Sequence, residues 1–177
     1  MTTITTYTGI SFAPLSPNPE QINLTDIAHS LSLLCRGNGH LVHFYSVGQH
    51  SLNCAREAAA RGYSRRVQLA CLMHDGSEAY LSDVPRPLKA VMADYLALEE
   101  RLQDVIYELY LGSPLTPEEL AQVTEIDDDM LAAEFPVLKA KNTLGRSVTL
   151  QSTPDFAVAP FAEVEEEFLQ LAADLAG

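Results

Sequence analysis

Val67-Gln68-Leu69-Ala70-Cys71-Leu72-Met73-His74-Asp75-Gly76-Ser77-Glu78 is the stretch on which the fold turns. Val67, Leu69, Ala70, Leu72 and Met73 crowd apolar side chains around the whole circumference, which predicts a helix from about Ser64 in a central, buried place. Its polar end is then in difficulty. An unpaired Asp75 among apolar neighbours is costly, and a divalent cation would neutralise it. Imidazole nitrogen with carboxylate oxygen suits zinc, manganese, iron or cobalt. Glu78, four residues past His74, is expected on the same helical face, within reach of a water beside such a cation. A His-Asp pair alone is ordinarily structural, and only its neighbours distinguish this one.

Those neighbours read as helices on both sides. Ile27, Ala28, Leu31, Leu34 and Cys35 fall three or four apart from Asp26 onward, and Gly37 and Gly39 end that helix beside Arg36. Ser46 with Gln49 forms a capping box that starts a second helix running toward Gly62, and this helix carries His50, a second imidazole. After the rigid turn Ser82–Pro87, a stripe from Leu88, Val91 and Met92 to Ile106 and Leu109 predicts one long helix ending near Gly112. Thr116, Pro117 and Glu119 mark the next start, and Pro136 the next stop. Within that helix Leu120, Val123, Asp127, Met130, Leu131 and Glu134 share one stripe. Asp127 is therefore assigned inward, while Asp128 and Asp129 are assigned to a solvated acidic face. Val164, Phe168, Leu171 and Leu175 give a last helix from about Pro160. Pro14, Pro17 and Pro19 keep the first residues in a strand-like or irregular arm, and a short strand pair is expected near 147–152. The fold class expected is all-α, one helical bundle over residues 1–177.

Charge narrows the partners. Eleven Lys and Arg against 24 Asp and Glu give a formal charge of −13. Such a surface repels the phosphate backbone of polymeric nucleic acid, yet a small phosphorylated substrate stays compatible if its site supplies positive charge. Cys35, Cys54 and Cys71 are odd in number, widely spaced and set among apolar residues, as free thiols of a reducing compartment are. No segment reads as a secretion signal or membrane span, so a cytoplasmic protein without a membrane partner is expected.

The arrangement His50, His74-Asp75 and Asp127 resembles that of the HD-domain metal phosphohydrolases. The likeness extends over about residues 7 to 134, with a motif core of about 25–134. It is carried by Asp26-Ile27-Ala28-His29-Ser30-Leu31-Ser32, by Cys35-Arg36-Gly37-Asn38-Gly39-His40 and by Phe44-Tyr45-Ser46-Val47-Gly48-Gln49-His50-Ser51. A fourth block is His74-Asp75-Gly76-Ser77-Glu78-Ala79-Tyr80-Leu81-Ser82-Asp83-Val84-Pro85-Arg86-Pro87-Leu88-Lys89.

The chain is similar to two branches, the YfbR-like 5'-deoxynucleotidases and the phage dATP triphosphohydrolases called DatZ. The resemblance implies a divalent transition metal (zinc, cobalt or manganese) on His50, His74, Asp75 and Asp127. It implies Arg36 and Glu78 near the scissile phosphate, Asp83 near the sugar 3'-hydroxyl, and a homo-oligomer. Such a cation lowers the pKa of a bound water and polarises the phosphoryl oxygen. Glu78 would orient that water or accept its proton, and Arg36 and Lys89 would pair with phosphate oxygens, although Lys89 stands equally as a solvated helix residue. His40 and His43 are candidate substrate contacts, whereas His29 reads as a satisfied core histidine.

The nucleotidase branch often carries a Trp after the Arg, where this chain has Gly37 and no Trp anywhere. That favours release of triphosphate from a deoxynucleoside triphosphate such as dATP, aided by additional Mg²⁺, with monophosphate hydrolysis as the runner-up. Two other classes fit less well. A degenerate HD regulator would lack a ligand or the Glu, and a di-iron oxygenase would need further inward histidines.

Overall fold

The computed structural model describes residues 2–141 and 146–177. At its centre α2 (Val47–Ala60) packs on α3 (Arg65–Met73), and α1 (Leu24–Leu33) and α8 (Phe161–Ala176) close over them. The fold is all-α with one short strand pair. Local chemistry sets the helix starts. Ser46 and Gln49 form the expected capping box, Ser64 caps α3 through Val67 N, and Thr116 with Glu119 forms a second capping box on α7 (Pro117–Leu138). The buried face of α3 supplies Val67, Leu69, Ala70, Cys71, Leu72 and Met73 to the core, as the apolar crowding requires. Among the described residues no helix is long and apolar enough to cross a membrane.

Four expectations are corrected. The strand pair forms in the arm, where β1 (Ile4–Thr5) runs antiparallel to β2 (Ser11–Phe12), and not near 147–152. There the backbone N–H groups of Gln151 and Ser152 are taken by the Glu57 carboxylate, so no ladder partner is needed.

The helix through His74 stops at Met73. His74 is its C-cap, and the chain turns through bonds from Gly76 N to Met73 O (2.8 Å) and Glu78 N to Asp75 O (3.0 Å) before α4 (Glu78–Leu81) begins. The turn is tight enough that a Cβ on Gly76 would lie 2.9 Å from Met73 O. Glu78 thus reaches the site from a new helix.

The stripe from Leu88 is likewise broken into α5 (Arg86–Lys89) and α6 (Ala93–Leu111), leaving Leu88 and Val91 exposed at 52% and 82%. Finally, α7 continues to Leu138, past Pro136. That proline lies in the last turn, where only one intrahelical bond is lost.

Candidate functional site

Three helices bring the expected ligands to one point. His50 lies in the first turns of α2 and is fully buried, His74 ends α3 with Asp75 beside it, and Asp127 comes from α7. His50 Nε2 is 3.3 Å from His74 Nε2, 3.1 Å from Asp127 Oδ1 and 4.0 Å from Asp75 Oδ2. His74 Nε2 is 3.3 Å from Asp75 Oδ2 and 3.7 Å from Asp127 Oδ1.

The far nitrogens fix what these atoms are. His74 Nδ1 meets the Cys71 carbonyl at 2.7 Å, and because a carbonyl only accepts, Nδ1 carries the hydrogen. His50 Nδ1 in the same way donates to Glu134 Oε1 at 2.6 Å. In their neutral forms both imidazoles therefore turn an Nε2 lone pair toward the two carboxylate oxygens. Four acceptors that converge fit a divalent cation, and the carboxylate and carbonyl behind the two rings are the partners that orient imidazole ligands.

The same carboxylates favour positive charge at this point, which a proton on the rings or a cation can supply. Burial opposes a charge on His74, but Asp75 and Asp127 outweigh it and hold its pKa up to about 9. For His50 burial and Arg36 oppose the charge, yet Cys54, Glu134 and Asp127 together raise its pKa well above its ordinary value. Burial works against the Asp127 carboxylate too, but the two imidazoles hold its pKa far below the usual range.

Cys54, one turn beyond His50 on α2, places Sγ 3.4 Å from His50 Nε2. His50, Cys54 and His74 form a group able to hold a metal ion. Cys54 was expected only as a buried thiol. Burial pushes that thiol up to about 12, against the opposing pull of His50.

Above the cluster opens a cavity of ≈ 620 Å³ whose walls include Arg36, His40, Asp75, Glu78, Asp83, Arg86, Lys89, Asp127 and Lys139. Arg36, fixed at the first turn after α1, points inward to Asp75 Oδ2 and Glu134 Oε2, each at 3.3 Å. Burial weighs against its charge, but Glu134, Asp75 and Asp127 keep it firmly ionised. Glu78 accepts from Lys89 Nζ at 3.3 Å through Oε1, while Oε2 is buried without a hydrogen-bond partner. Burial, then Asp75 and Asp83, raise the Glu78 pKa well above its ordinary value, with Lys89 and Arg36 opposing. Asp83 Oδ2 accepts from Gly37 N at 2.9 Å, tying the turn after α4 to the Arg36 loop.

Not every expected residue arrives. His43 Nε2 donates to the Phe156 carbonyl at 2.8 Å and does not line the cavity. His29 is satisfied, by Glu165 at 2.9 Å and by stacking on Tyr7, but it sits half-buried at the molecule's edge. Asp129, assigned to solvent, is only 6% exposed and pairs with Arg61 at 2.8 Å. Arg61 lies on the neighbouring α2 end, a partner that spacing within α7 could not reveal.

The cavity in turn holds two cations that the sequence did not mark. Arg86 reaches Asp127 Oδ2 at 2.6 Å and Asp128 Oδ1 at 2.8 Å. Lys139 donates to the His40 carbonyl at 2.9 Å and lies over the Phe135 ring. A Cβ on Gly37 would come 3.3 Å from Lys139 Nζ, so the lysine fills the space where a side chain at position 37 would stand. A smaller cavity of ≈ 360 Å³ between the arm and α1 shares no residue with the cluster.

Fold and site together define an all-helical protein with a metal-capable imidazole, thiol and carboxylate cluster at the foot of a charged cavity. The chain belongs to the family of YfdR, an uncharacterized protein of Escherichia coli (strain K12). The two are 41% identical over 134 residues, which cover 76% of this chain and 71% of YfdR. It is also 39% identical over 106 residues to an uncharacterized protein of Rhodobacter capsulatus, RCAP_rcc00048, over 56% of this chain and 53% of that one. No family model matches the chain.

Proposed function

We propose that the protein is a metal-dependent phosphohydrolase of the HD type acting on deoxynucleotides, with release of triphosphate from a deoxynucleoside triphosphate as its main reaction. The observation that carries it is the convergence of His50 Nε2, His74 Nε2, Asp75 Oδ2 and Asp127 Oδ1 at the foot of a cavity that also holds Arg36, Lys89 and a buried, half-unpartnered Glu78. His50, His74, Asp75 and Asp127 would hold zinc, cobalt or manganese, and such a cation, when bound, activates water and polarises a phosphoryl oxygen.

The chain's own groups do the rest. Arg36, held rigid between Asp75 and Glu134, offers phosphate oxygens a planar fork, and Lys89 offers a point charge. Glu78 shares the cavity lining with Asp75 and Asp127 and has Oε2 without a partner, which supports a role in orienting the attacking water and holding its proton. Asp83, also in the cavity lining, would meet the sugar. The cavity volume suits one nucleotide, and the free thiols Cys35, Cys54 and Cys71 suit the reducing cytoplasm.

A second outcome, hydrolysis of monophosphates, uses the same residues. Incubating the zinc-, cobalt- or manganese-loaded protein with each deoxynucleoside mono-, di- and triphosphate, dATP first, and identifying the products by chromatography separates them. Triphosphate release is expected from the native chain, and both metal retention and turnover should vanish in His74→Ala. Consumption of dAMP with dATP untouched would replace the main reaction by the second, and full turnover by metal-free His74→Ala would overturn the metal site itself.

A further inference from the structure

Arg86 stands apart from the other cations of the cavity in what it grips. Arg36 meets Asp75 on Oδ2, the same oxygen that faces His74. Arg86 instead takes Asp127 by its outer oxygen: Nη2 lies 2.6 Å from Oδ2, while Oδ1 is left facing His50 at 3.1 Å and His74 at 3.7 Å. Its other arm, Nη1, holds Asp128 Oδ1 at 2.8 Å, so one planar fork bridges two successive carboxylates of α7. The backbone beneath it is stiff, because Pro85 and Pro87 flank Arg86 and restrict both its own dihedrals and those of its neighbour.

We infer that Arg86 is a positioning residue for the cation site, fixing Asp127 so that Oδ1 alone is presented to the metal. The inference rests on the metal site proposed above and adds to it a residue that is not itself a ligand. A carboxylate left to itself can turn either oxygen, or both, toward a cation. A charge-assisted bond on Oδ2 removes that freedom, and partners of this kind are typically worth about 10–100-fold in metal affinity.

Simple electrostatics predicts the opposite sign. Arg86 is a positive charge close to a cation site, so if charge were its only effect, removing it would tighten metal binding. The two accounts therefore separate on a single measurement. Zinc or cobalt affinity is measured by calorimetric titration for the full chain and for Arg86→Met and Arg86→Lys, with the cobalt visible spectrum recorded alongside. The side chain is 61% exposed, so both variants should fold, which circular dichroism and thermal unfolding check. Arg86→Met is expected to bind about 10–100-fold more weakly, with a changed cobalt spectrum, and Arg86→Lys to lose less because it keeps the charge and one contact. Unchanged or tighter binding by Arg86→Met, in a protein whose native form binds metal and whose His74→Ala form does not, overturns the positioning role and leaves the metal site standing. No His74-dependent binding by the native chain overturns both.

Discussion

Ser82 is the residue on which the cavity wall bends. Its φ of 74° and ψ of 155° lie in a region that is essentially glycine's, at a typical cost of about 1–3 kcal/mol for any other residue. The conformation is held from both sides, by Ser82 N donating to Glu78 O at 2.8 Å and by the Tyr95 hydroxyl donating to Ser82 O at 2.9 Å. What it achieves is direction: immediately after it, Asp83 turns back to Gly37 N and closes the wall. Relief of the strain should outweigh the added freedom of glycine in the unfolded chain, so Ser82→Gly is expected to stabilise the protein by about 1 kcal/mol. Ser82→Ala, which keeps the strain, should show no such gain. Thermal and urea unfolding of the three proteins decide it, and a Ser82→Gly protein less stable than its parent would show that the turn is not strained.

Among the elements, α2 does two jobs with opposite ends of one helix. Its first turns present His50 to the cluster, while Glu57, two turns on and fully buried, anchors the segment after α7. That carboxylate accepts from Gln151 N, Ser152 N, the Ser152 hydroxyl and Arg61 Nε. Burial alone would raise its pKa, but the bonds from Ser152, Gln151 and Arg61 lower it from 4.5 to about 2. A folded pKa below the unfolded one means that the contribution is complete above about 4.5 and fades as pH falls toward 2. Urea midpoints of native protein and Glu57→Gln at neutral and acid pH should therefore converge over that interval, with the variant less stable at neutral pH. Parallel curves would show that Glu57 does not titrate with folding. The helix starts at Ser46 and Thr116 were legible because a cap lies three residues from its partner, His50 because it follows the Ser46 cap within a turn or so, and Asp127 because it sits on an apolar stripe. The break after Met73, the Glu57 anchor and the Arg61–Asp129 pair were not, since each depends on residues distant in sequence or on a close approach that only packing creates. Arg86 and Lys139 escaped for the same reason: their partners lie 41 and 99 positions away.

Over the whole molecule, charge is distributed against its mean. The chain carries a formal −13, yet Arg36, Arg86, Lys89 and Lys139, four of its 11 Lys and Arg, line the one cavity above the cluster beside Asp75, Glu78, Asp83, Asp127 and Glu134, so that a divalent cation at the proposed site would turn the lining net positive. If the proposed function holds, a polyanionic nucleotide approaching the metal-loaded protein would meet repulsion from the acidic surface first and attraction only at the cavity. Screening acts on these two fields unequally. At about 0.1 M salt the Debye length is about 10 Å, which removes the long-range repulsion between exposed charges while contacts inside a partly buried site persist. Capture efficiency should consequently rise as salt is added from very low ionic strength, the reverse of an enzyme steered by an opposite charge. Magnesium should raise it further than sodium at equal ionic strength, because it also neutralises the phosphate chain directly. Measuring kcat/KM for dATP across a sodium chloride series and a matched magnesium chloride series tests both statements. A steady fall with sodium chloride from the lowest concentration onward would mean that the four cations, and not the acidic surface, dominate the field that the substrate meets.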